Sequence, residues 1–282
     1  MRRRSFRKTP PGSVPTGKRR VRLALVVALF ALLSYYLGTR REYNAVTEET
    51  QQVSMSVDQE IALGLQAAPQ MMQRHGGLHP NRQAQIELDQ IGQRLVDRTQ
   101  AGQTAYRFDF HLLTDERTVN AFALPGGQIF ITAALASRLR TEGEIAGVLA
   151  HEIGHVVARH AAEHMAQARL TEGLADAAAI VAYDPAQPGS AQIATLIAQA
   201  LTLKYGRNDE LESDVLGVRF MAEAGYDPRA LISVMEVLEA TRESGRPPEF
   251  FSTHPPSNRR MAQIQAAIQE VFPNGVPERL IK

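Results

Sequence analysis

His151-Glu152-Ile153-Gly154-His155 places two imidazoles four residues apart, with a carboxylate directly after the first. At about 3.6 residues per turn, helical positions four apart stack on one face, so both rings can converge on a single ion. Glu152 lies roughly 100° around the helix from His151, near enough to hold a water beside that ion yet turned away from the ion itself. The spacing therefore predicts a divalent cation gripped by His151 and His155, with Glu152 as the base of a metal-dependent hydrolysis.

These side chains need a rigid element to aim them. Residues 144–170 contain no proline, and Ile145, Val148, Leu149, Ile153, Val156 and Val157 form an apolar stripe at helical spacing, so the motif is expected inside one buried helix. Two imidazoles and a carboxylate in one buried turn would be costly without a partner. His160 and His164 stand on the same predicted helix, one and two turns beyond His155. At about 1.5 Å rise per residue they are too far along the axis to join the same ion, and surface polar roles, or a structural role for Arg159-His160, are expected of them.

Catalytic zinc normally has three protein ligands and an open fourth position, so a third ligand is required downstream. The pattern with a glycine and a third histidine shortly after the pair is excluded, because Ala158 and Ala161 stand where they would be. The acidic run Asn208-Asp209-Glu210-Leu211-Glu212-Ser213-Asp214 offers a glutamate from a second helix. Glu210 is the expected ligand: Glu212 points roughly 200° away from it, and only Glu210 has Asp214 one turn on along its own face. Asp214 is expected to accept the spare ring N–H of a ligand histidine and so set its orientation.

With these motifs in hand, the chain resembles family forty-eight of the metallopeptidases, the group of HtpX-type, OMA-type and CAAX prenyl-protease-like gluzincins. The likeness covers roughly residues 59–269 and rests on Asn120-Ala-Phe-Ala-Leu-Pro-Gly-Gly-Gln-Ile-Phe-Ile-Thr132, His151-Glu-Ile-Gly-His-Val-Val-Ala-Arg-His160, Glu210-Leu-Glu-Ser-Asp214 and Thr253-His-Pro-Pro256. The resemblance implies Glu152 as general base, one Zn2+ held by His151, His155 and Glu210, and Asp214 behind them.

Pro125-Gly126-Gly127 is a turn signal between two β-prone runs, residues 122–124 and 128–132, and predicts a hairpin. In related gluzincins the strand that opens with such an Asn120-Ala121 pair borders the cleft and holds extended peptide by backbone hydrogen bonds, a mode that reads backbone more than sequence. His254 falls in a proline-rich loop, residues 247–256, where a histidine is mobile and reachable, before a last helix capped at Ser257. By the resemblance it faces the metal, to steady an oxyanion or to occupy the open position and hold the site inactive.

The first 22 residues carry nine Lys or Arg and no acidic residue, and an apolar run over 23–38 follows, broken only by Ser34. The run is short for a spanning segment, yet no small-residue cleavage site closes it, so an uncleaved signal anchor in the lipid bilayer is expected. Nine basic residues before the run against Arg40 and Arg41 after it put the N-terminus in the cytoplasm and the remaining chain in the periplasm, on the inner membrane. A mitochondrial inner-membrane location and secretion after signal cleavage are the alternatives. Residues 23–282 hold 22 basic against 30 acidic side chains, net −8, which argues against nucleic acid as a partner. With no cysteine there is no thiol nucleophile, disulfide or lipid attachment point.

Residues 39–55 are polar and expected as a linker, leaving 56–282 for one metallopeptidase domain. Helices are predicted at 57–75, 82–99, 133–140, 144–170, 190–205, 208–224, 228–243 and 257–271, a strand at 106–112, and a loop at 184–190. The fold class is α+β, mostly helical, with a small sheet. The function expected is a membrane-anchored zinc endopeptidase acting on misfolded or membrane-associated polypeptides in envelope quality control. The competing class is a zinc-stabilised chaperone or adaptor that binds unfolded chains, and the intact Glu152 argues against it.

Overall fold

The computed structural model describes residues 17–182, 205–243, 248–255 and 259–282; the helix expected at 190–205 lies outside them but for Tyr205, and the loop expected at 184–190 and the Ser257 cap lie outside them entirely. Helix α1 (Gly17–Gly38) includes an 18-residue apolar stretch, Val21–Gly38, long and apolar enough to cross a membrane. At about 1.5 Å per residue that stretch spans roughly 27 Å, close to the thickness of a hydrocarbon core.

Residues expected to be a linker instead form an antiparallel hairpin, β1 (Arg40–Asn44) with β2 (Glu49–Val53). The polar composition that suggested a linker is used for hydrogen bonding to the body of the molecule, as described below. Helices α2 (Val57–Arg74) and α3 (Arg82–Asp97) follow, opened by a Ser56–Gln59 capping box and by Asn81. Strand β3 (Asp109–Leu113) begins later than expected. Phe110 and Leu112 are buried, while Tyr106 and Phe108 only flank the core.

The predicted hairpin forms as β4 (Ala121–Leu124) and β5 (Gln128–Thr132), with Gly126 and Gly127 at φ 83° and 108° in the turn, where a side chain would be strained. The sheet order is β3-β5-β4, β3 parallel and β4 antiparallel to β5, so β4 is an edge strand. Thr132 then caps α4 (Ala133–Ala136), one turn rather than the two predicted.

The long helix expected over 144–170 is two helices. A Thr141–Glu144 capping box starts α5 (Glu142–Val157), and α6 (His160–Ala182) begins after a break at Arg159, a non-glycine residue at φ 57°. That left-handed conformation is unfavourable for arginine and persists because its side chain is tied down. Arg159 is buried and bonds Glu60 Oε1 through Nε at 3.0 Å and Nη2 at 2.6 Å, Glu42 Oε2 at 2.5 Å and the Met55 carbonyl at 2.9 Å. Tyr106 donates to the other Glu60 oxygen at 2.9 Å. The hairpin meets the α5 terminus directly: Asn44 Nδ2 donates to the Val157 carbonyl at 2.7 Å and Gln51 to that of Ala158. Carbonyls at a helix end lack partners within the helix, and the hairpin supplies them.

Helix α7 (Arg207–Ala224) packs closely on α5. A Cβ on Gly154 would stand 3.2 Å from Ser213 Cα, and one on Gly217 would stand 3.4 Å from the His151 nitrogen, so glycines at both crossings let the backbones approach. Helices α8 (Ala230–Glu243), α9 (Phe250–Thr253) and α10 (Arg260–Val271) complete the fold. The core of α3, α5, α7, α8, α10 and the sheet is continuous and apolar. The architecture is α+β and mostly helical.

Candidate metal centre

The close α5–α7 crossing brings the two predicted segments face to face. His151, His155, Glu210 and His254 are all buried, and one donor atom from each lies within 4.8 Å of the others. His151 Nε2 and His155 Nε2 are 3.1 Å apart, Glu210 Oε1 is 3.3 Å from His155 Nε2, and Glu210 Oε2 is 3.6 Å from His151 Nε2. Ligand atoms about 2.0–2.1 Å from one tetrahedral ion stand roughly 3.3 Å from one another, so this donor set fits such an ion.

Charge points the same way. Glu152, Glu210 and Asp214 are carboxylates with no solvent exposure, and among the described residues Arg260, buried beside them, is the guanidinium that faces them. Ionised together, the three carboxylates would outnumber the guanidinium by two charges, a surplus that a divalent cation offsets directly and that otherwise shifts protons onto groups of the site. Among the described residues both Glu152 oxygens are buried without a hydrogen-bond partner, the nearest ring nitrogen being His254 Nε2 at 3.5 Å. Burial pushes the Glu152 carboxyl up from its ordinary range. Burial would do the same to Glu210, but the imidazoles of His254, His151 and His155 outweigh it and hold that carboxyl well below its usual value. Burial lowers His155 well below the normal imidazole range, favouring the neutral ring that ligates metals. Burial also works to lower His151, but its bonds to Asp214 and Glu210 prevail and raise it to about 9, a second sign that the site draws positive charge.

The structure places Asp214 Oδ1 3.0 Å from His151 Nδ1. Sequence reasoning missed what lies behind it: Arg260 reaches both Asp214 oxygens at 2.7 Å and lies 2.7 Å from Glu210 Oε2. A signal existed, since Arg260 falls on the buried stripe of α10 with Ile264, Ala267 and Ile268. Of the two roles expected of His160, the surface one does not hold: it is 1% exposed and its Nδ1 lies 2.9 Å from His155 Nδ1. The helix break at Arg159 turns it back toward the site, which an unbroken helix would not allow. His164, by contrast, bonds Asp209 away from the donor set.

His254 is likewise not the reachable loop histidine expected. It has no exposure, stacks on Phe250 with ring centroids 4.3 Å apart, and sets Nδ1 3.0 Å from Glu210 Oε1 and 3.4 Å from His151 Nε2. Helix α9 positions it, and the segment is tied to the strand region by Phe250 N–H donating to the Val119 carbonyl and to Tyr205 through Thr253. Tyr205, also unforeseen, stacks on His155 at 3.9 Å.

Asn120 and Ala121 are buried at the start of edge strand β4. The Asn120 backbone is held by Thr132, while its side-chain Oδ1 is buried without a partner among the described residues. A small cavity of about 40 Å³ adjoins it, lined by Met71, His75, Phe122, Tyr205 and Thr253 among others.

Residues 82–268 match the model of peptidase family M48. The chain belongs to that family. It is 29% identical over 250 residues to the mitochondrial metalloendopeptidase OMA1 of Schizosaccharomyces pombe, covering 86% of this chain and 71% of the relative. It is 32% identical over 193 residues to the beta-barrel assembly-enhancing protease of Escherichia coli, covering 66% of this chain and 39% of the relative. To the OMA1 of Arabidopsis thaliana it is 35% identical over 161 residues, 56% of this chain and 32% of that protein. The chain thus spans less than half the length of the latter two.

Proposed function

We propose that this M48 peptidase is a membrane-anchored zinc endopeptidase that cleaves unfolded segments of envelope or membrane-associated polypeptides. The observation that carries this reading is the convergence of His151, His155 and Glu210 donors beside a buried carboxylate surplus that one divalent ion neutralises. In this reading those three residues hold the zinc. When bound, zinc supplies Lewis acidity, lowering the pKa of a coordinated water toward neutrality and polarising the scissile carbonyl. Glu152 accepts the proton of the attacking water on a carboxylate oxygen and returns it to the leaving amine, and its burial brings its basicity closer to what that task needs. Asp214, with its charge shared by Arg260, holds the His151 ring.

Substrate lies along β4, whose outer edge pairs with no other strand among the described residues and offers backbone groups to an extended chain, with the Asn120 side chain as an extra partner. Asn120→Ala should raise KM for an unfolded substrate up to about tenfold, the worth of one hydrogen bond, with zinc content unchanged. Steady-state kinetics beside metal analysis checks this, and an unaltered KM removes the role.

The placement of His254 Nδ1 among the donor atoms favours occupancy of the fourth position over an oxyanion role, and α9 then keeps the site closed. His254→Ala should raise turnover of short unstructured peptides by on the order of tenfold by freeing that position. A fall in turnover would instead favour the oxyanion role.

Helix α1 is the anchor, and the basic residues before it put the enzyme on the periplasmic side of an inner membrane. Two relatives named for mitochondrial proteolysis and for barrel assembly support a quality-control role. The test is the full-length protein in detergent: about one zinc per chain and digestion of a permanently unfolded polypeptide, both lost on chelation. Absence of bound zinc, or inertness of the zinc-loaded protein, would overturn it.

A further inference from the structure

His151 and His155, the two histidines that hold the zinc in the reading above, are supported in different ways. His151 meets a carboxylate directly, Asp214, whose charge is shared with buried Arg260. His155 meets another imidazole: His160 Nδ1 is 2.9 Å from His155 Nδ1, and His160 Nε2 is 2.9 Å from Glu212 Oε2. In a continuous helix, residues five apart differ by roughly 140° around the axis and 7.5 Å along it, so this contact exists only because the chain breaks at Arg159. Ser213 Oγ, 3.4 Å from His160 Nδ1, closes the far side.

One arrangement of protons satisfies the chain of contacts from His155 to Glu212. With His155 Nε2 left as a lone-pair donor among the other ligand atoms, its Nδ1–H donates to His160 Nδ1, and His160 Nε2–H donates to the Glu212 carboxylate. We infer that His160 and Glu212 are positioning residues for the metal site: a carboxylate–imidazole relay that fixes the tautomer of His155 and strengthens its Nε2 as a ligand. Glu212 stands two residues from Glu210 on α7, so one helix presents a ligand on its buried face and, on its flank, the outer end of a relay to another ligand. The Glu212 side chain is about one-third exposed (32%), while His160 is buried. The relay therefore links the buried ligand to the protein surface. The buried Asp214–Arg260 support does not.

This inference rests on the zinc reading above. It is tested with the full-length protein by measuring the zinc dissociation constant in competition with a chromophoric chelator, alongside the melting temperature of the metal-free form. His160→Ala should weaken zinc binding about 10–100-fold, the usual cost of removing such a partner. Glu212→Ala should weaken it several-fold, and Glu212→Gln, which still accepts a hydrogen bond, should recover most of that loss. Because the two residues act in series, the double variant should bind zinc no more weakly than His160→Ala alone.

Zinc affinities within twofold of the parent for His160→Ala and Glu212→Ala, with only the metal-free melting temperature lowered, would reduce the pair to a packing role. Should His160→Ala fail to fold, the partly exposed Glu212→Ala decides alone, and an unchanged zinc affinity overturns the relay. A parent protein that binds no zinc overturns the metal reading itself. A parent that binds tightly beside variants that bind equally well overturns only the relay.

Discussion

Glu152→Gln should leave zinc content unchanged while peptide cleavage falls by about 10²–10⁴-fold, the range that a general acid–base group contributes. The amide keeps the size of the carboxylate, so packing in its fully buried position is preserved, but it cannot take up a proton. Neither Glu152 oxygen has a hydrogen-bond partner among the described residues, so no donor loses its acceptor, and the new amide N–H faces His254 Nε2, 3.5 Å from a Glu152 oxygen. Inductively coupled plasma analysis and single-turnover digestion, run on one preparation, check the prediction. Loss of zinc along with activity would show that Glu152 belongs to the ligand set. Full activity would remove it from the chemistry and favour the chaperone or adaptor class.

Arg260→Met should have the largest effect on stability. Arg260 is 1% exposed and is the guanidinium facing Asp214 and Glu210, so a side chain of similar length without charge leaves two buried carboxylates with imidazoles alone beside them. Breaking a buried ion pair from one side costs about 3–5 kcal/mol, which for a domain of this size lowers the melting temperature by roughly 6–20 °C. The loss should be greater without metal than with it, because bound zinc supplies positive charge to the same carboxylates. By linkage, the variant should then gain more stability from zinc than the parent does. Thermal unfolding followed by circular dichroism, with and without zinc, measures both quantities. Equal melting temperatures for the metal-free parent and variant, or a larger drop in the zinc-loaded form, would contradict this account of Arg260.

What the sequence determined by itself was local. Residues at i and i+4 on one helix must share a face, so His151 and His155 converge whatever surrounds them, and Glu152 must sit to one side. The same rule separates Glu210 and Asp214 from Glu212 along α7, and Pro125-Gly126-Gly127 supplies the only backbone chemistry a tight hairpin there requires. An apolar run at the chain start dictates a helix able to cross a membrane for similarly local reasons.

Tertiary structure decided everything that depends on partners far apart in the chain. Arg159 adopts a left-handed conformation against its own preference because Glu60, 99 residues earlier, and Glu42 on the hairpin hold its side chain, and no periodicity announces such a break. That break is what carries His160 to His155. Residues 39–55 looked like a linker because polar side chains resemble solvent-facing ones until their partners, here the end carbonyls of α5, are known. Arg260 and His254 were set in the site by packing of α10 and α9, since a buried charge is defined by what compensates it, and that compensation lies on other elements.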